Sequence, residues 1–99
     1  MEISKIQTDN TITLRISGKL SAATAEEFGK AVDAAIDEST RLVMDFQGVT
    51  YLASAGLRVL ISAQKKLTAL DGSFSLCNVG ETILEVFEIT GLDDIFDIQ

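Results

Sequence analysis

Few residues in this chain can do chemistry, and their types limit what that chemistry is. The best placed is Ser54, in the run Ala53-Ser54-Ala55-Gly56-Leu57 that opens a long amphipathic segment. A serine at or beside a helix start faces N–H groups without an intrahelical acceptor and the positive end of the macrodipole. Two roles follow. Ser54 is either a local N-cap, for which serine is a favoured type, or an acceptor whose phosphate would sit in a ready-made anion site. A catalytic nucleophile would need a neighbouring base. The chain has no His, and the nearest lysines in sequence, Lys65 and Lys66, lie turns away. Ser54 is therefore better suited to modification by another enzyme than to attack on a substrate. Its small neighbours Ala53, Ala55 and Gly56 leave room for a partner to approach.

The other polar residues point to weaker readings. Asp45, near the end of an apolar run, either meets a partner or orders the following segment 47–52 by accepting its N–H groups. Arg58 either pairs with a partner's acid or is a solvated charge. Tyr51, the one tyrosine, is expected to pack partly. Cys77, in an apolar strand, behaves as a small hydrophobe rather than a redox group. Glu81, Glu85, Glu88, Asp93, Asp94 and Asp97 load the C-terminal third with acid. Their spacing matches no metal-binding loop, and a solvated face is the expectation. Gly48, Gly72 and Gly80 read as turn or break positions and form no phosphate-binding pattern. No catalytic residue, metal site or cofactor site is expected, and no acid–base or nucleophile–base pair is visible.

The elements that must position Ser54 follow from hydrophobic period. Residues 11–17 alternate apolar and polar, which marks a half-buried strand. Asp9-Asn10 reads as a turn and residues 2–7 as the hairpin partner, an edge strand because Ile3 and Ile6 fall on opposite faces. Phe28, Val32, Ala35 and Ile36 share one face of a helix over 25–37, with Thr24 and Glu27 as a capping box. Leu42, Val43 and Met44 are consecutive and suggest a central strand over 41–46 covered on both faces. Residues 54–70 form a second helix ended by Asp71-Gly72 with a C′-type glycine. Phe74 and Leu76 mark a third strand of the core, residues 81–89 a short helix, and 92–98 a tail returning to the core. The order β-β-α-β-α-β-α implies parallel neighbours with right-handed crossovers, plus one antiparallel hairpin. The expected fold is a single small α/β domain with a mixed central sheet and helices packed on it.

Composition sets the outer limits. Ninety-nine residues allow one domain with roughly 5,500 Å² of folded surface. The absence of His excludes histidine triads and His-ligated zinc, and one Cys excludes an intrachain disulfide. Fifteen acids against eight basic residues give −7, which argues against nucleic acid or an anionic membrane as partner and mainly serves solubility. No segment approaches the ~18 apolar residues of a membrane span. MEISKIQTDNT lacks a signal-peptide core, so a cytoplasmic protein with a reduced thiol is expected.

Three short motifs in register carry a family resemblance. Met44-Asp45-Phe46, then Val49, Tyr51-Leu52 and Ala53-Ser54-Ala55-Gly56-Leu57, resemble the signature of the STAS domain, found in bacterial anti-sigma factor antagonists and in the tails of sulphate transporters. Gly18-Lys19-Leu20 before Thr24-Ala25-Glu26 resembles the family's Gly-x-Leu-Asp turn. Ile89-Thr90-Gly91-Leu92 with Ile95-Phe96 resembles its C-terminal ending. The resemblance covers the whole chain, 1–99. It implies a domain that binds an anti-sigma factor serine kinase and is switched off by phosphorylation of the serine matching Ser54, with a serine phosphatase reversing the change. Under that resemblance Ser21, Thr24, Tyr51, Ala53, Ser54, Ala55, Gly56, Leu57 and Arg58 face the partner. Ala53 stands where the family often has Asp, Ser21 replaces the turn Asp, and Ala55 replaces the second hydroxyl. The alternative implied by those lost acids is a constitutive STAS scaffold in a lipid-type ABC transporter or a stress complex, without phosphorylation. A small-molecule binding domain is a further class, for which 99 residues leave little spare volume.

Overall fold

The computed structural model describes residues 1–99. They run β1 (Glu2–Thr8), β2 (Thr11–Leu20), α1 (Ala25–Glu38), β3 (Arg41–Leu52), α2 (Ser54–Ala69), β4 (Ser73–Cys77), α3 (Glu81–Thr90), a 3₁₀ turn (Leu92–Asp94) and β5 (Asp97–Ile98). The five strands form one sheet in the order β1-β2-β3-β4-β5. β1 pairs antiparallel with β2, and the other neighbours pair parallel. This is the expected mixed α/β architecture, with a 5665 Å² surface.

Register explains where the core sits. Ile12, Leu42 and Phe74 stand in one row across β2, β3 and β4, and Leu14, Met44 and Leu76 in the next. All six are buried, with Phe28, Val32 and Ala35 of α1, Leu60, Ala63 and Leu67 of α2, and Ile83 and Phe87 of α3. Parallel strands laid down in sequential order with right-handed crossovers put all three helices on one face. The opposite face is uncovered. It carries the rows Thr13–Val43–Ser75 and Arg15–Asp45–Cys77, none of them buried. The expectation that β3 is covered on both faces is therefore corrected. Val43 lies between two core residues in sequence but points to the uncovered side, as strand alternation requires.

Two further local expectations change. β3 does not end at Phe46 but runs on to Leu52 beside β2, through register shifts between Arg15 and Ser17 and between Gly18 and Lys19. Gly48 makes this possible: a Cβ there would lie 2.6 Å from the Cβ of Ser17 and 3.0 Å from its Cα. It is a close-approach glycine inside a strand, not a turn. At the end of α2 the left-handed residue is Asp71, with φ 56°, rather than Gly72. The tail does return Leu92 and Phe96 to the core, and the Phe96 ring meets those of Phe87 and Phe74 edge-to-face at 5.4 and 5.8 Å. It also adds the short strand β5, whose two residues are too few to show a period.

Candidate functional site

β2 and β3 end side by side, with Leu20 opposite Leu52. The chain leaves both strands at that edge, and the two exits are tied together. Ala53 N–H donates to the Leu20 carbonyl at 2.8 Å. The Thr24 hydroxyl donates to the Lys19 carbonyl at 2.8 Å and accepts from the Ser21 N–H at 3.0 Å. Thr24 thus closes the Ser21–Thr24 turn and makes no capping bond to α1. The expected capping box with Glu27 is absent because the threonine hydroxyl is already engaged in that turn. Ser21 and Thr24 are thereby held beside the entry to α2.

Ser54 is the first residue of α2, and Ala53 occupies the N-cap position in extended conformation. Both Gly56 N–H and Leu57 N–H donate to the Ala53 carbonyl, at 3.0 and 3.1 Å. The Ser54 and Ala55 N–H groups have no backbone acceptor. The Ser54 side chain is exposed and caps nothing. The cap reading of Ser54 is therefore set aside: backbone geometry at Ala53 starts the helix, and the hydroxyl is left to solvent. No acidic side chain occupies the first turn of α2, so the macrodipole there is uncompensated.

The neighbours sort by exposure. Tyr51 is 51% exposed, more than the partial packing expected. It stands opposite Lys19 across the β2–β3 ladder. Lys19 is a residue the sequence pattern did not single out, since the register shift at Gly18 hides which side of the sheet it takes. Arg58 is exposed one turn into α2, beside Val59, Ser62 and Lys66 along the groove between α1 and α2. Gly56 is buried, and Leu57 packs against the core. The small size of Gly56 serves packing under the site: a Cβ there would lie 2.8 Å from Leu52 Cδ1 and 3.2 Å from Leu20 Cβ.

Asp45 is separate from this cluster. Its side chain is only 12% exposed and lies 3.6 Å from the Arg15 Nε. Oδ1 accepts from Gln47 N–H and from Asn78 Nδ2, both at 3.0 Å. Asp45 thus orders the shifted part of β3 and the turn after β4, in line with the ordering role and against an exposed contact. Asp45→Ala should cost about 1–2 kcal/mol, through the loss of two hydrogen bonds to a charged acceptor whose exposed donors water then takes over. Arg15→Ala should cost less than about 1 kcal/mol, since Arg15 is 64% exposed. Urea unfolding of both variants checks the order; equal losses would place the energy in the ion pair instead. Cys77, on the same face, is half-buried. Its thiol is pushed above the usual range by burial and then by the Asp45 carboxylate, with Arg15 opposing. That keeps it protonated and unreactive at neutral pH.

Every buried residue is apolar, and no cluster of metal-ligating side chains exists. No helix is long and apolar enough to cross a membrane. What the edge presents is an exposed hydroxyl on a helix start tied to the end of β2 through Ala53 and Leu20, with Ser21 and Thr24 in the turn that follows β2, Lys19 and Tyr51 paired at the strand ends, and Arg58 one turn into α2.

Comparison with known proteins agrees in sequence and in fold. Residues 2–99 match the family model of the STAS domain. The chain is 32% identical over 100 residues to the anti-sigma-B factor antagonist of Listeria monocytogenes, covering 100% of this chain and 87% of that one. It is 30% identical over 93 residues to the anti-sigma-B factor antagonist of Bacillus subtilis, covering 94% and 85%. The crystal structure of an anti-sigma factor antagonist from Mycobacterium paratuberculosis shares the fold with a TM-score of 0.88 at 28% identity, covering 98% of this chain and 83% of that one. With the whole sheet and the Ser54 edge inside the matched region, the chain belongs to the STAS domain family.

Proposed function

We propose that the chain is an anti-sigma factor antagonist that works by partner switching. In its unmodified form it binds an anti-sigma factor that is also a serine kinase. Phosphorylation of Ser54 by that kinase releases it, and a serine phosphatase restores it. It acts as a binding module rather than an enzyme, in the cytoplasm.

The observation that carries this reading is the state of the Ser54 hydroxyl: exposed, unbonded, and on the first residue of a helix with no acid in its first turn. A kinase can reach it without unfolding anything. A phosphate there would gain the free N–H groups and the helix dipole while adding about −1.5 to −2 charge to a surface fitted to a neutral hydroxyl. Ser21, Thr24, Tyr51, Ala53, Ala55 and Arg58 would form the surrounding contact, with Gly56 and Leu57 supporting it from below. Ala55 leaves Ser54 as the one hydroxyl at the helix start.

Incubation with the cognate kinase and ATP should add one phosphate to the wild-type chain and none to Ser54→Ala. Equal incorporation into Ser54→Ala would overturn the assignment. A second reading, a constitutive scaffold, is favoured by Ala53 and Ser21, which leave the edge without the two carboxylates that a kinase would read in related chains. Mass spectrometry of the Ser54 peptide from native cells separates the two. A phosphorylated fraction that changes with growth state supports the switch; a peptide always unmodified supports the scaffold.

A further inference from the structure

The charge of this protein is not spread over it. All eight basic residues lie at or before Lys66, together with eight of the acids, so residues 1–66 are formally neutral. The whole excess of −7 comes from Asp71, Glu81, Glu85, Glu88, Asp93, Asp94 and Asp97, with no Lys or Arg among them. The four ion pairs, Lys5–Glu38, Arg15–Asp45, Lys30–Glu26 and Lys66–Asp33, engage none of these seven.

The same region carries the two most exposed large apolar side chains of the molecule. Ile89, in the last turn of α3, is 85% exposed, and Ile95, after the 3₁₀ turn, is 60% exposed. Ile89 comes two residues after Phe87 and Ile95 directly before Phe96, and the Phe87 and Phe96 rings, with centroids 5.4 Å apart, hold these two segments together. Ile89 follows Glu85 and Glu88 along the exposed side of α3. The acids are also placed at a cost. The last turn of α3 has no basic residue, so Glu88 meets the negative end of the helix macrodipole without compensation.

α3 leaves the C-terminal end of β4 and returns the chain to start β5, parallel to β4. Its last turn therefore lies at the opposite end of the sheet from Ser54, which follows the C-terminal end of β3. A solvated face needs acids but no isoleucine at 85% exposure. Two exposed isoleucines among unpaired acids match instead a partner that is apolar at its centre and basic at its rim. A second copy of the chain would bring like charges together, and nucleic acid or an anionic membrane would be repelled.

We propose that the α3 C-terminus and the 3₁₀ turn form a second docking surface, distinct from the Ser54 edge, for a lysine- or arginine-rich amphipathic helix of a partner protein, with Ile89 and Ile95 as its apolar anchors. This surface does not depend on the Ser54 switch, and both ends can be engaged at once.

The test uses a synthetic helical peptide of Lys and Leu, its leucines on one face, and a Lys–Gly control of equal charge. Titration followed by backbone amide NMR should move resonances within 81–97 and leave those around Ser54 in place, with binding that weakens as salt rises. Ile89→Ser should weaken the leucine peptide about tenfold without altering the spectrum elsewhere. Glu88→Lys should weaken it similarly while raising the melting temperature of the free chain by about 2–6 °C, because the helix end is then compensated. Equal binding of the control peptide, shifts scattered over the molecule, or an unaffected Ile89→Ser variant would each reduce the surface to a solvated acidic face and overturn the proposal.

Discussion

Ser54→Glu is expected to weaken binding of the anti-sigma factor partner by roughly 5- to 150-fold, the usual range of coupling between a modification and a binding event. It should do so without loosening the fold. Ser54 is the first residue of α2, whose first turn holds no acid, and the Ser54 and Ala55 N–H groups lack backbone acceptors. A carboxylate there complements the dipole and is worth about 0.3–1 kcal/mol, or about 2–6 °C in melting temperature. The variant should thus be the more stable protein and the poorer binder. The opposite signs separate charge repulsion at an interface from damage to the domain. Ser54→Ala should bind as the wild type does. If Ser54→Glu binds with wild-type affinity, repulsion is not the switching mechanism. If it melts lower than wild type, the hydroxyl has a structural role that the geometry at Ala53 does not provide for. The effect has to be local in either case. Ser54→Glu adds a single charge to the −7, and the existing excess comes entirely from residues beyond Lys66, whereas residues 1–66 are formally neutral.

The parts of this fold legible in the sequence were those with a clean period. Thr11 to Ser17 alternates, and Phe28, Val32, Ala35 and Ile36 repeat on a helical face, so β2 and α1 emerge where the pattern places them. The edge status of β1 was legible from Ile3 and Ile6 facing opposite ways. What failed was whatever depends on a neighbour. Gln47-Gly48 looks like a turn when read along one strand. In the sheet it is the point where β3 squeezes past Ser17 and continues, which only the partner strand can reveal. Val43 reads as core because Leu42 and Met44 are core, yet nothing covers its face. Thr24 and Glu27 have capping-box spacing, but the Thr24 hydroxyl is claimed by Lys19 and Ser21. Ser54 itself was legible as a helix-start hydroxyl and is the first residue of α2, but whether it caps was not legible, since a side chain that caps and one left free share the same spacing. Lys19 was not legible, because its place opposite Tyr51 depends on a register shift.

Gly56→Val should be among the most damaging single changes in the chain, at about 3 kcal/mol, toward the upper end of what overpacking costs. Gly56 is buried where α2 crosses the ends of β2 and β3. A Cβ there would approach Leu52 Cδ1 at 2.8 Å, Leu20 Cβ at 3.2 Å and the Leu20 carbonyl oxygen at 3.4 Å. The first of these is the end of a flexible side chain and can swing aside. The other two belong to the residue whose carbonyl anchors Ala53, so yielding there moves the helix start. Gly56→Ala meets the same atoms with one carbon and regains about 1 kcal/mol of helix propensity, leaving a small net loss. Valine adds two methyl groups with no direction to turn them. Gly29 in α1 is the control. Its added Cβ meets only Val59 Cγ2 at 3.7 Å, ordinary contact, so Gly29→Ala should stabilise by up to about 1 kcal/mol. Urea unfolding of the three variants measures the series directly. The Gly56→Val loss is a sizeable share of the about 5–15 kcal/mol that holds a domain together. The remaining folded fraction should also bind its partner less well, because displacing α2 displaces Ser54 from Ser21 and Thr24. Wild-type stability in Gly56→Val would mean that the helix start can slide over Leu20 freely. The Ser54 hydroxyl would then not be held on the rigid platform that the proposed phosphorylation switch requires.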